Sequence, residues 1–237
     1  KIMNDAIVKT KFSEKNIAKY FDGSRWGTIG TVFLIIAGII AYMGDYPTAV
    51  FLFALACVCF YFAAKAAIVK DNDIDELWTN IAIAREDEAY RVAHIDKEDA
   101  VRDAQWFFAF PDDISGGIDY KNKTGDDKCD RRNYQKLVYM IYAKDQLIIF
   151  SENICIQNQW DGADKTEEYY WKDVSSVSFD QKEDSFLIVC GGHSIKFPLS
   201  GDGKEDSTNE NSVKSYKVRA EEVSNGLRMM LREKKSE

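Results

Sequence analysis

The chain has 237 residues, and its 31 Lys+Arg against 39 Asp+Glu leave a formal charge of -8. That acidity, with no basic stripe interleaved with aromatics, argues against a nucleic-acid partner. The five cysteines (Cys57, Cys59, Cys129, Cys155 and Cys190) show no CxxC spacing, so neither zinc nor a redox pair is indicated, and they read as buried thiols in a reducing compartment.

Residues 1–25 form a basic arm with Lys1, Lys9, Lys11, Lys15, Lys19 and Arg25. Its apolar positions Ile7, Val8, Phe12, Ile17, Ala18, Tyr20 and Phe21 alternate with lysines. Ser13 followed by Ile17 and Tyr20/Phe21 suggests a short amphipathic helix, either along anionic headgroups or as a solvated arm that serves topology alone. No cleavable signal peptide is expected, because the apolar run starts late and a second follows at once.

Residues 26–69 hold two apolar runs separated by Gly44-Asp45-Tyr46-Pro47. No charge occurs from Gly27 to Met43 or from Tyr46 to Ala64, runs of about 17–19 residues that nearly match a bilayer core of about 30 Å. Two such runs around a tight turn predict a transmembrane helical hairpin. Lysine and arginine flank both outer ends and are absent from the turn. By the positive-inside rule both termini face the cytoplasm, placing the protein in the inner (plasma) membrane as a multi-pass protein. Trp26, Tyr42 and Tyr46 stand where interfacial aromatics belong, and Lys65 can snorkel to the inner headgroups. Gly27, Gly30, Thr31, Ala37, Gly38 and Ala41 give the first span a small-residue face for helix packing, within the hairpin or between copies. No ionisable residue lies inside the spans, so nothing marks a transport path. A pore would have to be lined by Thr28, Thr31, Thr48, Cys57 and Tyr61.

Residues 70–110 read as a helical stalk. Ile74, Leu77/Trp78, Ile81 and Ala84, then Ala89, Val92 and Ile95, recur at helical spacing. Asp96 is placed to cap a second helix, Lys97–Ala109, ending before Pro111. Trp106, Phe107, Phe108 and Phe110 form a candidate interaction surface, to be covered by the distal domain or a neighbour. Residues 111–135, rich in Gly, Asp and Lys, read as linker; the spacing of Asp126, Asp127 and Asp130 does not fit a calcium loop.

Residues 136–237 turn to short β-rich runs: Leu137–Tyr142, Gln146–Phe150, Ile154–Gln157, Glu167–Trp171, Ser175–Phe179, Ser185–Cys190 and Ser194–Phe197. Gly191-Gly192 signals a tight hairpin. A polar loop, Gly201–Ser212, leads to an amphipathic helix near Val218–Lys234 with Val223, Leu227, Met230 and Leu231 on one face.

Seven strands and a closing helix, carried by YYWKDVSSVSFD (Tyr169–Asp180), SFLIVCGGHSIKFPL (Ser185–Leu199) and the last helix, resemble the pleckstrin-homology (PH)-like domains of bacterial membrane-anchored proteins. The resemblance covers about the last hundred residues and the hairpin-first layout. It implies a seven-stranded PH-like barrel with a C-terminal helix, an α+β or all-β cytoplasmic domain behind the membrane hairpin. The chain departs from phosphoinositide-binding members at the first predicted hairpin, where Ala143-Lys144-Asp145 supplies a single lysine beside an acid.

His94 and His193 belong to no metal-binding pattern, and no GxSxG, P-loop or HExxH string occurs. No catalytic residue, cofactor or metal is expected. The expected role is a non-enzymatic, inner-membrane-anchored assembly or scaffold protein whose domain homo-oligomerises or binds a protein partner. The alternative is an oligomeric ion channel or membrane-disrupting effector gated by that domain; a third reading is a ligand or lipid sensor.

Overall fold

A computed structural model describes residues 13–23, 25–66, 69–111, 119–125, 129–157, 160–162, 164–180, 182–199 and 212–236. The chain divides into two compact units, Ile7–Ile74 and Asp75–Glu237.

The first unit is helical. The Ser13 hydroxyl caps α1 (Glu14–Asp22) by accepting from the Asn16 N–H at 3.4 Å. Helices α2 (Arg25–Tyr42) and α3 (Tyr46–Ala66) follow, of 18 and 21 residues, and are apolar on every side. At 1.5 Å per residue they span about 27 and 31 Å, enough to cross a bilayer core. Gly44 at φ +88° ends α2, and the Asp45 carboxylate accepts from the Thr48 N–H at the start of α3. The helices run antiparallel: Gly27 faces Ala63, and the Trp26 and Phe62 rings stand 5.8 Å apart. Small residues make the seam, with Gly30, Ala37, Ala49, Ala56 and Cys59 buried. Ile35, Ile39, Val50, Phe51 and Phe53 point outward, each more than half exposed.

The second unit mixes helix and sheet. Helix α4 spans Asp71–Val92, and a short 3-10 turn, Lys97–Asp99, precedes β1 (Arg102–Ala109). Next come a small ribbon of β2 (Asn122–Thr124) and β3 (Asp130–Arg132), then β4 (Tyr134–Tyr142), β5 (Gln146–Cys155), β6 (Trp160–Asp161) and β7 (Lys165–Tyr170). A second 3-10 turn, Trp171–Asp173, leads to β8 (Val174–Asp180), β9 (Ser185–Cys190), β10 (His193–Pro198) and α5 (Ser212–Ser236). One sheet has the order β1-β4-β5-β6 with β7 also on β5; the other has the order β10-β9-β8. All pairings are antiparallel, and among the described residues the two sheets do not close into a barrel.

Strand β4 is buried along its whole length because both its faces are covered. Val138, Met140 and Tyr142 enter the core shared with Phe186, Ile188, Leu227 and Met230. Leu137, Tyr139 and Ile141 take the other face, toward α4. That helix is fixed by polar anchors: Trp78 Nε1 donates to Arg132 O at 3.1 Å, Tyr139 Oη donates to Ala82 O, and Arg85 pairs with Glu152 at 3.3 Å. Arg131 grips Asp75 through both carboxylate oxygens, at 3.0 and 2.6 Å. Helix α5 lies along the outer edges of both sheets. Arg219 Nε donates to Trp106 O on β1, and Arg228 Nε and Lys235 Nζ donate to Val177 O and Ser175 O on β8. These cations occupy edge carbonyls that would otherwise invite another strand.

The structure corrects the sequence reading in four places. The expected closed seven-stranded barrel is instead two separate sheets among the described residues. Arg102–Ala109 is a strand paired to β4, not the end of a helix over Lys97–Ala109, and Asp96 makes no side-chain cap. Tryptophan and phenylalanine suit a strand, and β4 supplies the ladder that a single-sequence reading cannot see. The segment 70–110 is therefore no free-standing helical stalk; its helix packs on the sheet. Ser151-Glu152-Asn153, read as a turn, continues β5, because Arg85 allows Glu152 to be buried. The linker assigned to 111–135 contains β2, β3 and the first two residues of β4; Asp126 and Asp127 lie outside the described residues. The Gly191-Gly192 hairpin is present, with both glycines at positive φ as a two-residue type I′ turn requires. The arm before Ser13 and the loop over residues 201–211 lie outside the described residues.

Burial raises the Tyr139 and Tyr142 phenols above their ordinary range, pushes Tyr169 up to about 12 and pushes the Cys190 thiol up to about 11. An unfolded chain would release these protons earlier than the folded one. Their stabilising contribution is thus complete below about pH 9 and falls as pH rises from there toward 12. Chemical denaturation of the full chain in neutral detergent at pH 8, 10 and 11 is expected to show a falling midpoint; a flat profile contradicts the burial of these groups.

Candidate functional site

The residues expected at the membrane interface occupy both ends of the hairpin. Trp26 opens α2 and is 49% exposed, while Tyr42 and Tyr46 flank the turn at 94% and 68%. Lys65 lies in the last turn of α3, and its side chain is outside the described residues. The small-residue positions separate into two faces. A Cβ on Gly30 would stand 3.2 Å from Cys59 Cβ and 3.3 Å from Ala56 O, and Ala37 is 6% exposed, so these two make the helix contact. Gly27 approaches Ala63 and Ala41 is half-buried, whereas Gly38 meets nothing within 4 Å. Thr31 faces outward and donates its hydroxyl to Gly27 O of its own helix at 3.0 Å. Thr28, Thr48, Cys57 and Tyr61 are exposed as well. Gly30→Val should therefore cost about 1–3 kcal/mol of hairpin stability through overpacking, and Gly38→Val almost none. Thermal melting of the detergent-solubilised chain checks this through a lower Tm for the first variant alone.

The four aromatics proposed as an interaction surface are distributed by the alternation of β1. Phe107 is fully buried in the core, its ring edge-on to Phe186 at 5.3 Å and to Phe197 at 5.5 Å. Phe108 is 6% exposed on the opposite face, packed against Trp78 at 5.1 Å. The Arg219 guanidinium lies 3.3 Å from the Trp106 ring centre; the Phe110 ring is tilted against Tyr120 at 5.6 Å and has the Arg132 guanidinium 5.1 Å from its centre. Phe107 and Phe108 are therefore intramolecular core, while Trp106 and Phe110 stay partly exposed beside their cationic neighbours.

A different concavity exists at the β4–β5 hairpin. The tip residues Lys144 and Asp145, the β7 end Tyr170, the 3-10 residues Trp171 and Lys172, and Lys234 near the end of α5 line a recess of ≈ 410 Å³. Its floor is rigid. Trp171 is buried, donates Nε1 to Ala143 O at 2.9 Å and its backbone N–H to Asp145 O at 3.1 Å, and stacks parallel on Tyr142 at 6.3 Å. Its rim is charged and accessible: Lys144 and Lys172 are exposed, Tyr170 is 57% exposed, and the Lys172 ammonium sits 5.4 Å from the Tyr170 ring centre. The sequence showed one lysine beside an acid here. The fold adds Lys172 and Lys234 from segments 28 and 90 residues further along, and no local string announces that meeting.

His94 and His193 are exposed and stand apart from this recess, and all five cysteines are free thiols. Among the described residues no three His, Cys, Asp or Glu side chains gather as metal ligands. No protein-family model, no curated protein and no solved structure matches the chain.

Proposed function

We propose that the chain is a non-enzymatic, membrane-anchored assembly protein, held by the α2–α3 hairpin with both ends in the cytoplasm and presenting a PH-like domain to a protein partner or a second copy. The observation that carries the anchoring is the outward-facing surface of α2 and α3. Large aliphatic and aromatic side chains are exposed around both helices, and only the small-residue seam is covered. Water makes such a surface costly, while lipid solvates it at no penalty. The orientation rests on lysine and arginine at the outer ends and none at the Gly44-Asp45 turn.

The PH-like reading is supported by element order. Once the ribbon and the two-residue β6 are set aside, four strands (β1, β4, β5, β7) precede three (β8, β9, β10) and a closing helix. The assembly role rests on an anchored domain in which, among the described residues, no metal-ligand cluster gathers.

Light scattering of the full chain in mild detergent, with crosslinking in native membranes, tests the role. An oligomer or a stoichiometric co-purifying protein is expected. A monomer that crosslinks to nothing overturns it, and ion conductance in reconstituted bilayers favours the channel reading instead.

A further inference from the structure

The geometry points to the recess at the β4–β5 hairpin as a binding site for a phosphate-bearing anion, with Lys144, Lys172 and Lys234 as its cationic walls. Three of the six lining residues are lysines and one, Asp145, is an acid, in a chain of formal charge -8. Like charges gathered around a concavity repel one another and raise the local potential for an incoming anion. The ammonium groups come from three separate elements, so a ligand entering between them can be met from several sides by charge-assisted hydrogen bonds. Phosphate suits them better than a lone carboxylate, because it offers more acceptor oxygens and up to two negative charges.

The floor distinguishes this place from a scatter of surface lysines. Trp171 and the hairpin tip are tied together through the Trp171 N–H groups, which holds the backbone carrying Lys144 beside that carrying Lys172. The exposed Tyr170 ring gives the organic part of such a ligand an apolar wall beside the Lys172 charge. The hairpin involved is the second of its sheet, since β1 and β4 form the first. The site is independent of whether the chain assembles, and it stands or falls on its own measurement.

The phosphate can belong to a soluble compound or to a lipid headgroup, and two arms separate these sources. Calorimetry of the full chain in neutral detergent uses inorganic pyrophosphate. Hydrogen exchange uses the full chain in nanodiscs of phosphatidylcholine with or without phosphatidic acid. Saturable pyrophosphate binding, weakened about tenfold or more in the Lys144→Gln/Lys172→Gln variant, identifies a soluble phosphate compound. Slowed exchange over residues 143–146 and 170–173 only with phosphatidic acid, abolished in the same variant, identifies a headgroup. Both substitutions are at exposed positions, and an unchanged melting curve without ligand verifies the fold. Absence of a response in both arms, or an equal response from the variant, overturns the assignment.

Discussion

Replacing Glu152 with alanine is expected to destabilise the sheet domain by about 3–5 kcal/mol, because it strands the buried charge of Arg85. The two side chains are 2% and 8% exposed and lie 3.3 Å apart between α4 and β5. In water each charge would be solvated separately; at this depth each is tolerated through its partners, of which the other is one. Removing one member therefore costs much more than the pair contributes. The comparison that separates this from a simple loss of packing is the double variant Arg85→Leu/Glu152→Met. With both charges gone and similar volume retained, it should recover most of the loss. Denaturant titration of the full chain in detergent, followed by tryptophan fluorescence, measures both. If Glu152→Ala melts like the parent, α4 is not packed on this sheet.

The second large effect is at Phe107. Phe107→Ala should cost about 3–5 kcal/mol, the transfer free energy of the ring plus the cavity it leaves between the sheets. The ring has no exposure and touches Phe186 and Phe197, so little can collapse into the space. The result also decides between two roles for the aromatic cluster. A core residue lowers the denaturation midpoint of the chain at every concentration. A docking residue leaves that midpoint alone and weakens an association, which is what placing the cluster on a surface would require.

The hairpin and the later strands were legible because their signals are local. Two uncharged apolar runs around Gly-Asp-Tyr-Pro need no tertiary information, and neither do a paired glycine turn or the three- and four-residue spacing of Val223, Leu227 and Leu231. Strand β1 was misread because its neighbour β4 begins 25 residues after it ends, across a Gly- and Asp-rich stretch that looks like a boundary. Without that partner, the uninterrupted Lys97–Ala109 segment passes for a helix. Glu152 misled for a related reason: a charge within a strand signals a turn unless its counter-ion is known, and Arg85 lies 67 residues earlier. The stripe on α4 was found but slightly rotated. Ala82 and Arg85 are buried where Ala84 was expected. The cationic recess was out of reach altogether, since three separated lysines become one site only after the hairpin tip, the second 3-10 turn and the C-terminal helix are brought together.

Anchoring requires lipid to be the solvent of α2 and α3, with the turn on the far side. A cysteine-free full chain carrying Asp45→Cys or Lys144→Cys, expressed in bacterial cells and treated with a membrane-impermeant maleimide, tests this directly. Position 45 should be labelled in intact cells and position 144 only after lysis, with the chain retained in carbonate-washed membranes. Labelling at 144 but not at 45 in intact cells, or recovery of the chain in the soluble fraction, contradicts it.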